Sequence, residues 1–219
     1  MMKAKKIVFY ILMFLPLIVT LIALQFLPDQ VPAHYNINNQ VDRWGSKYES
    51  LILPVVNIAM GYFMLGMAKY TAKREENGSN NEKICIITGL ATLVLFNAMC
   101  GYFLYASFNS VDNLSSAPLD LIQLIFGLFG VMFIIVGNVM PKLKMNSMIG
   151  LRTPWSLKNE VTWKKSQHFA GITTIIAGIA MIIICFLTKD MTCAFWCMGI
   201  VFAISIIGAI YTYVVAKKY

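Results

Sequence analysis

"FAGITTIIAGIAMIIICFLTKDMTCAFWCMGIVFAISIIGAIYTYVVA", residues 169–216, reads as two apolar runs, 169–187 and 191–216, separated only by Thr188, Lys189 and Asp190. Each run approaches or exceeds the roughly 20 helical residues needed to cross the hydrocarbon core of a bilayer. A connection this short forces the second run back alongside the first. The stretch is therefore an antiparallel helical hairpin, and its solvent is lipid.

Working outward, four further runs precede it: about 7–27, 51–68, 84–107 and 119–140. Only 13% of the 219 residues are charged and 58% are hydrophobic, against about 25% charged in a soluble domain. The mean hydropathy is +0.69. Six spans with short loops use up the chain and leave no room for a soluble domain. The expected fold is an all-α integral membrane protein with six transmembrane helices. Lys3, Lys5 and Lys6 precede the first run as in a signal peptide. That run is too long for a signal core and lacks a small-x-small cleavage site, so it reads as a retained anchor, loosened at Pro16.

The net charge of +8 has a topological meaning. Fifteen of the eighteen Lys and Arg lie at the two termini and in the loops near 69–83 and 141–168, and three lie in the alternate loops. The positive-inside rule then places both termini in the cytoplasm, with residues 27–50 outside and 141–168 inside. No direct nucleic-acid partner is implied. The centres of the spans hold no Asp, Glu, Lys, Arg or His, which argues against a proton-coupled pump. Asn57, Asn97, Gln123 and Asn138 are expected to bond neighbouring helices. Small residues recur at helix-packing spacing, as in Gly199/Ala203, Ser205/Ala209 and Ala170/Thr174/Gly178, favouring close contact within the chain or between chains of an oligomer. The five cysteines fall in or beside apolar runs and read as packing residues. Cys185 and Cys193 flank the short turn, which leaves a disulfide there open.

Two polar segments stand out. The first, "LPDQVPAHYNINNQVDRWGSK" (residues 27–47), combines Pro28 and Pro32, which hold the chain extended, with a turn at Asn36–Asn39 and an interfacial Trp44. Its readings are a self-ordered extracellular cap, a recognition surface, or a metal site on His34, Asp29 and Asp42. No metal site is assigned. The second, residues 141–169, has Gly150 for backbone freedom. Thr153 is a candidate N-cap with Pro154 after it, Ser156 a rival cap, and residues 157–168 an interfacial helix running into the fifth span. Glu160 and Lys164 have i, i+4 spacing. Its readings are an amphipathic helix with snorkelling lysines, or a compact inner site of Arg152, Trp155, Trp163 and His168, with Arg152 placed to grip a phosphate, a carboxylate or a helix C-terminus.

Taken together, the two segments resemble the SdpI family of bacterial membrane proteins. Pro28, Val31, Pro32, His34, Tyr35, Asn36, Asp42, Trp44, Ser46 and Lys47 match the pattern of that family's N-terminal domain of unknown function. Asn39 stands where Gly is common, and Asn is the side chain best able to replace Gly at positive φ. Asn146, Ile149, Gly150, Arg152, Thr153, Pro154, Trp155, Ser156 and Leu157, then Trp163 and His168, match the C-terminal signature. The chain accordingly divides into an N-terminal membrane half, 1–110, and a C-terminal half, 111–219.

The resemblance implies immunity to a secreted peptide toxin at a bacterial plasma membrane. Protection would come from binding the toxin or from shielding its membrane target. It implies recognition through His34, Asn36, Asp42, Trp44 and Lys47. It also implies a relay through Gly150, Arg152, Thr153, Pro154, Trp155, Trp163 and His168 to a cytoplasmic transcriptional regulator, with membrane lipids as further partners. No cofactor and no catalytic residue are expected. The rival reading is a transporter or exporter of a peptide or lipid, for which the chain offers no G-x-x-x-x-G-K-[ST] motif. An enzyme would need chemistry that two histidines on opposite sides of the membrane do not supply: there is no H-E-x-x-H. The pair Glu75-Glu76 lacks the following Arg of a CAAX-type protease and lies in a loop expected to be floppy, 75–81.

Overall fold

The computed structural model describes residues 2–74, 78–116 and 119–219, without the side chains of Met2, Lys3, Arg74 and Ser116. Its helices are α1 (Met2–Ala23), α2 (Ile52–Arg74), α3 (Gly78–Phe108), α4 (Leu121–Val139), α5 (Glu160–Leu187) and α6 (Asp190–Lys218). Six are long and apolar enough to cross a membrane. The expectation of an all-α chain needs one correction. The polar segment after α1 is a hairpin of two antiparallel strands, β1 (Gln30–Tyr35) and β2 (Val41–Ser46). Its short strands, QVPAHY and VDRWGS, carry Pro32 and register shifts around His34, so no clean period-two pattern marks them.

The helices pack by two devices. Between α4 and α5 the backbones touch through paired glycines. A Cβ on Gly137 would lie 2.6 Å from the carbonyl oxygen of Gly171, and one on Gly130 2.8 Å from that of Gly178. Small residues serve this way in membranes because close approach maximises dispersion contact where no hydrophobic effect operates. Ala170 and Gly178 of the expected stripe are buried in this interface. The stripe at Gly199 is different: nothing lies within 4 Å of a Cβ built there. On α6, Phe195, Phe202 and Ile206 point outward as well.

The second device is polar. Pro16 lacks an N–H and so leaves the carbonyl of Leu12 without its helical partner. Asn57 of α2 and Asn97 of α3 both donate to that oxygen, at 3.1 and 2.8 Å. Asn57 also donates to Met13 O at 2.9 Å. The loosening of α1 at Pro16 is thus repaired by the intramembrane amides of its neighbours.

Two element starts differ from expectation. Helix α5 begins at Glu160, not near Pro154, because Asn159 makes a capping box with Thr162. Thr153 and Ser156 instead bond each other's backbone N–H at 2.9 and 3.0 Å, closing a separate turn. Helix α3 begins at Gly78, so Gly78–Asn81 of the loop expected to be floppy are helical. Glu75 and Glu76, also in that loop, lie outside the described residues, as do Ala117 and Pro118 of the α3–α4 loop.

Candidate functional site

The hairpin is held by side chains spaced along its own turn. Asn36 Oδ1 accepts from the backbone N–H of Asn38 and Gln40, at 2.9 and 3.1 Å. Asn39 takes the positive φ expected for it, 60°. Across the strands, His34 Nδ1 lies 2.6 Å from Asp42 Oδ1. Arg43 grips Glu49 with both terminal nitrogens, at 3.1 and 2.9 Å, a planar fork matched to a carboxylate. The bonded Glu49 carboxylate raises the Arg43 pKa further above its ordinary value. Lys47 Nζ reaches Asp29 at 3.0 Å. Gly45 is required here, because a Cβ would run into Glu49 and Ala33. Asn36 and Lys47 are therefore engaged in building the hairpin. His34, Asp42 and Trp44 remain exposed on its surface.

This hairpin is sewn into the rest of the same face. Val41 N donates to Asp112 O at 2.9 Å and Leu114 N to Asn39 O at 2.8 Å. The Tyr35 hydroxyl donates to Val111 O at 2.9 Å. Burial, then the neighbouring Tyr102 and Asp112, push the Tyr35 phenol up to about 12, so it stays a donor. Asn39 Nδ2 donates to Asp190 Oδ1 at 2.7 Å. Asp190 N donates to Asp120 Oδ2 at 3.1 Å. Asp120 caps α4 with Gln123. Gln123 Nε2 donates to the carbonyls of Cys185 and Thr188, at 2.7 and 3.1 Å. Three connections, after α1, α3 and α5, thus make one ordered cap. Beneath the hairpin lies a cavity of about 210 Å³ lined by Thr20, Val31, Arg43, Glu49, Leu53 and Phe103, among others.

At the opposite face, residues 143–159 fold around buried amides. Asn146 Oδ1 accepts from Met148 N and Ile149 N, at 2.8 and 2.7 Å. Gly150 turns at φ 107°. Beyond it, the Gln167 amide pairs with both backbone groups of Leu151: Leu151 N to Oε1 at 3.0 Å and Nε2 to Leu151 O at 2.9 Å. Thr153 Oγ1 donates to Thr212 Oγ1 of α6 at 2.9 Å. Trp163 is buried and its Nε1 donates to Leu143 O at 2.9 Å. Asn80 and Asn81 of α3 clasp the backbone of Lys142 and Lys144.

The motif residues therefore split into two groups. Gly150, Thr153 and Trp163 build the loop. Arg152, Pro154, Trp155 and His168 are exposed, and Trp155 meets Tyr213 edge to face at 5.2 Å. Burying the Trp163 ring separates it from the compact cluster considered for these side chains. The helix C-terminus is gripped by Lys158, whose Nζ donates to Ala216 O at 2.6 Å. Glu160 and Lys164 form no ion pair among the described residues and line a groove beside Pro141. The sequence reading missed the roles of Asn80, Asn81 and Asp120; an Asn pair and an Asp immediately before apolar runs were the available signals.

Both segments fall within stretches of the chain that match known families. Residues 142–215 match the SdpI/YfhL protein family, and residues 11–58 match a domain of unknown function, DUF1648. The immunity protein SdpI of Bacillus subtilis (strain 168) is 31% identical over 193 residues, covering 85% of this chain and 84% of that protein. No solved structure matches the chain.

Proposed function

As a multi-pass bacterial membrane protein that belongs to the SdpI/YfhL protein family, the chain acts, we propose, as an immunity protein protecting its cell from a secreted peptide toxin. The carrying observation is the 31% identity to an immunity protein over most of both chains. This is not an enzyme family, and the reading requires no catalytic step.

The distribution of Lys and Arg supports a topology with both termini inside. The hairpin cap then faces the toxin, and the Gly150–His168 segment faces the cytoplasm. On this reading the N-terminal half, 1–110, supplies recognition. Trp44, exposed beside the His34–Asp42 pair, supplies an aromatic anchor of the kind enriched at protein-binding surfaces. Asn36 and Lys47 keep that surface in shape. On this reading protection is by sequestration of the toxin at the cap. The C-terminal half, 111–219, presents Arg152, Pro154, Trp155 and His168 to a cytoplasmic regulator. The relay on this reading would run from the bonded connections of the cap down α5 and α6, which join the two faces.

The test is survival of a toxin-sensitive bacterium expressing the protein, with membrane levels measured. Wild type protects. Asp42→Ala and Trp44→Ala reach the membrane and protect at least tenfold less well in toxin dose. Wild type that accumulates and gives no protection against any peptide toxin overturns immunity and favours transport. Protection by wild type that both variants retain overturns the role of the hairpin patch alone.

A further inference from the structure

Three thiols meet where α5 hands over to α6. Cys185 lies near the end of α5, and Cys193 and Cys197 are one turn apart at the start of α6. Their sulfur atoms all lie within 4.8 Å of one another, with Cys193 and Cys185 at 3.6 Å. Cys193 and Cys197 are wholly buried and Cys185 nearly so. Met181, one turn before Cys185, is buried in the same cluster, walled by Phe126, Phe129 and Ile184. Met-x-x-x-Cys on one helix therefore faces Cys-x-x-x-Cys on the next. Packing alone explains a soft residue at each position. It does not explain their convergence, since the buried Cys85 and Cys100 join no such group among the described residues.

Thiolates bind a metal at about 2.3 Å, which sets ligand sulfurs about 4 Å apart around a common ion. The separations here need adjustments of under about 1 Å to meet that figure. We propose that Cys185, Cys193 and Cys197 form a site for a monovalent soft metal, Cu(I). The donor set selects the ion: sulfur ligands favour soft metals, whereas Ca²⁺ and Mg²⁺ require oxygen. Charge selects the valence, because an uncompensated charge in a dry, apolar wall is costly. Binding of Cu(I) breaks one S–H bond. The sulfur electron pair passes to the metal and the proton leaves to solvent. The site's charge is unchanged, and no electron is transferred. The one thiolate is the strong ligand; the other two sulfurs keep their protons and close around the ion as weaker donors. Zn²⁺ would need a second proton lost and a fourth ligand of its tetrahedral set. The turn Thr188–Asp190 lies about one helical turn from Cys185. Once seated, the ion joins the last turn of α5 to the first turns of α6.

The test uses the full-length protein in detergent, without oxygen, titrated with Cu(I) against bathocuproine disulfonate. One Cu(I) per chain is expected. Cys193→Ser is expected to hold it at least tenfold more weakly, while the Cys85→Ser/Cys100→Ser variant holds it as wild type does. X-ray absorption on loaded wild type, which needs no variant to fold, is expected to show sulfur neighbours only, at about 2.3 Å. Uptake by wild type no greater than by the triple variant Cys185→Ser/Cys193→Ser/Cys197→Ser overturns the proposal. So does a first shell containing nitrogen or oxygen.

Discussion

The side-chain amide of Asn39, at the tip of the hairpin after α1, donates at 2.7 Å to the carboxylate of Asp190, the first residue of α6. These residues are 151 positions apart in the chain. Both take positive φ, 60° and 52°, and Asn39 is buried. The contact joins the N-terminal half to the α5–α6 turn through two residues that must each hold a left-handed backbone.

Asn39→Gly and Asn39→Ala separate these two roles. Glycine keeps the turn and loses the bond; alanine loses the bond and adds the cost of φ 60°, roughly 1–2 kcal/mol. A hydrogen bond to a carboxylate contributes about 1.5–3 kcal/mol, and both variants lose it. Thermal unfolding in detergent is expected to rank wild type above Asn39→Gly, and Asn39→Gly above Asn39→Ala. Equal melting of the two variants would mean the backbone there is not under this constraint.

The repair of α1 at Pro16 invites a double-mutant cycle. Asn97→Leu leaves the Leu12 carbonyl with less support and is expected to destabilise by about 0.6 kcal/mol, the average for such bonds in membranes, and by no more than about 1.7 kcal/mol. Pro16→Ala restores an N–H to that carbonyl. In the Pro16→Ala background, Asn97→Leu is therefore expected to cost much less, a coupling of more than about 0.5 kcal/mol. Additive effects would show that Asn97 is not serving the carbonyl that Pro16 frees.

The α4–α5 glycines predict a steep contrast. Gly137→Ala places a methyl 2.6 Å from the Gly171 carbonyl oxygen, and the helices must part. Overpacking of this kind costs about 1–3 kcal/mol. Gly199→Ala meets open space and adds helix propensity, so it is expected to be neutral or slightly stabilising. Circular-dichroism melts of the two variants check the difference. A Gly137→Ala protein as stable as wild type would mean that this interface is looser than its carbonyl contacts indicate.

Six spans were legible because hydrophobicity over about 20 residues is a property of the local chain. The turn at Asn36–Asn39 and the freedom at Gly150 were legible for the same reason: Asn and Gly carry their conformational preference with them. The hairpin strands were not, since Pro32 and the register shifts around His34 break the period-two pattern by which a strand is read from sequence. The start of α5 was misread because Thr153-Pro154 and Asn159 are both good local caps. The choice between them was made by Gln167 and Thr212, which hold Leu151 and Thr153 in a turn of their own. Trp163 was grouped with exposed neighbours on motif grounds, yet its indole N–H is buried against Leu143, a partner twenty residues back.

The split of the Gly150–His168 segment into builders and exposed residues predicts two different ways of losing function. Gly150→Ala puts a side chain at φ 107° and 2.6 Å from Gln167 Oε1, breaking the paired bonds to Leu151. It is expected to lower membrane abundance, and protection in the survival assay should fall in proportion. Arg152→Ala removes only an exposed guanidinium. It is expected to leave abundance and melting unchanged. If the exposed face docks a cytoplasmic regulator, Arg152→Ala also abolishes a toxin-dependent change in gene expression while protection by capture at the cap persists. Loss of protection by Arg152→Ala at normal abundance would mean that immunity itself runs through the cytoplasmic face, and would count against capture at the hairpin as sufficient.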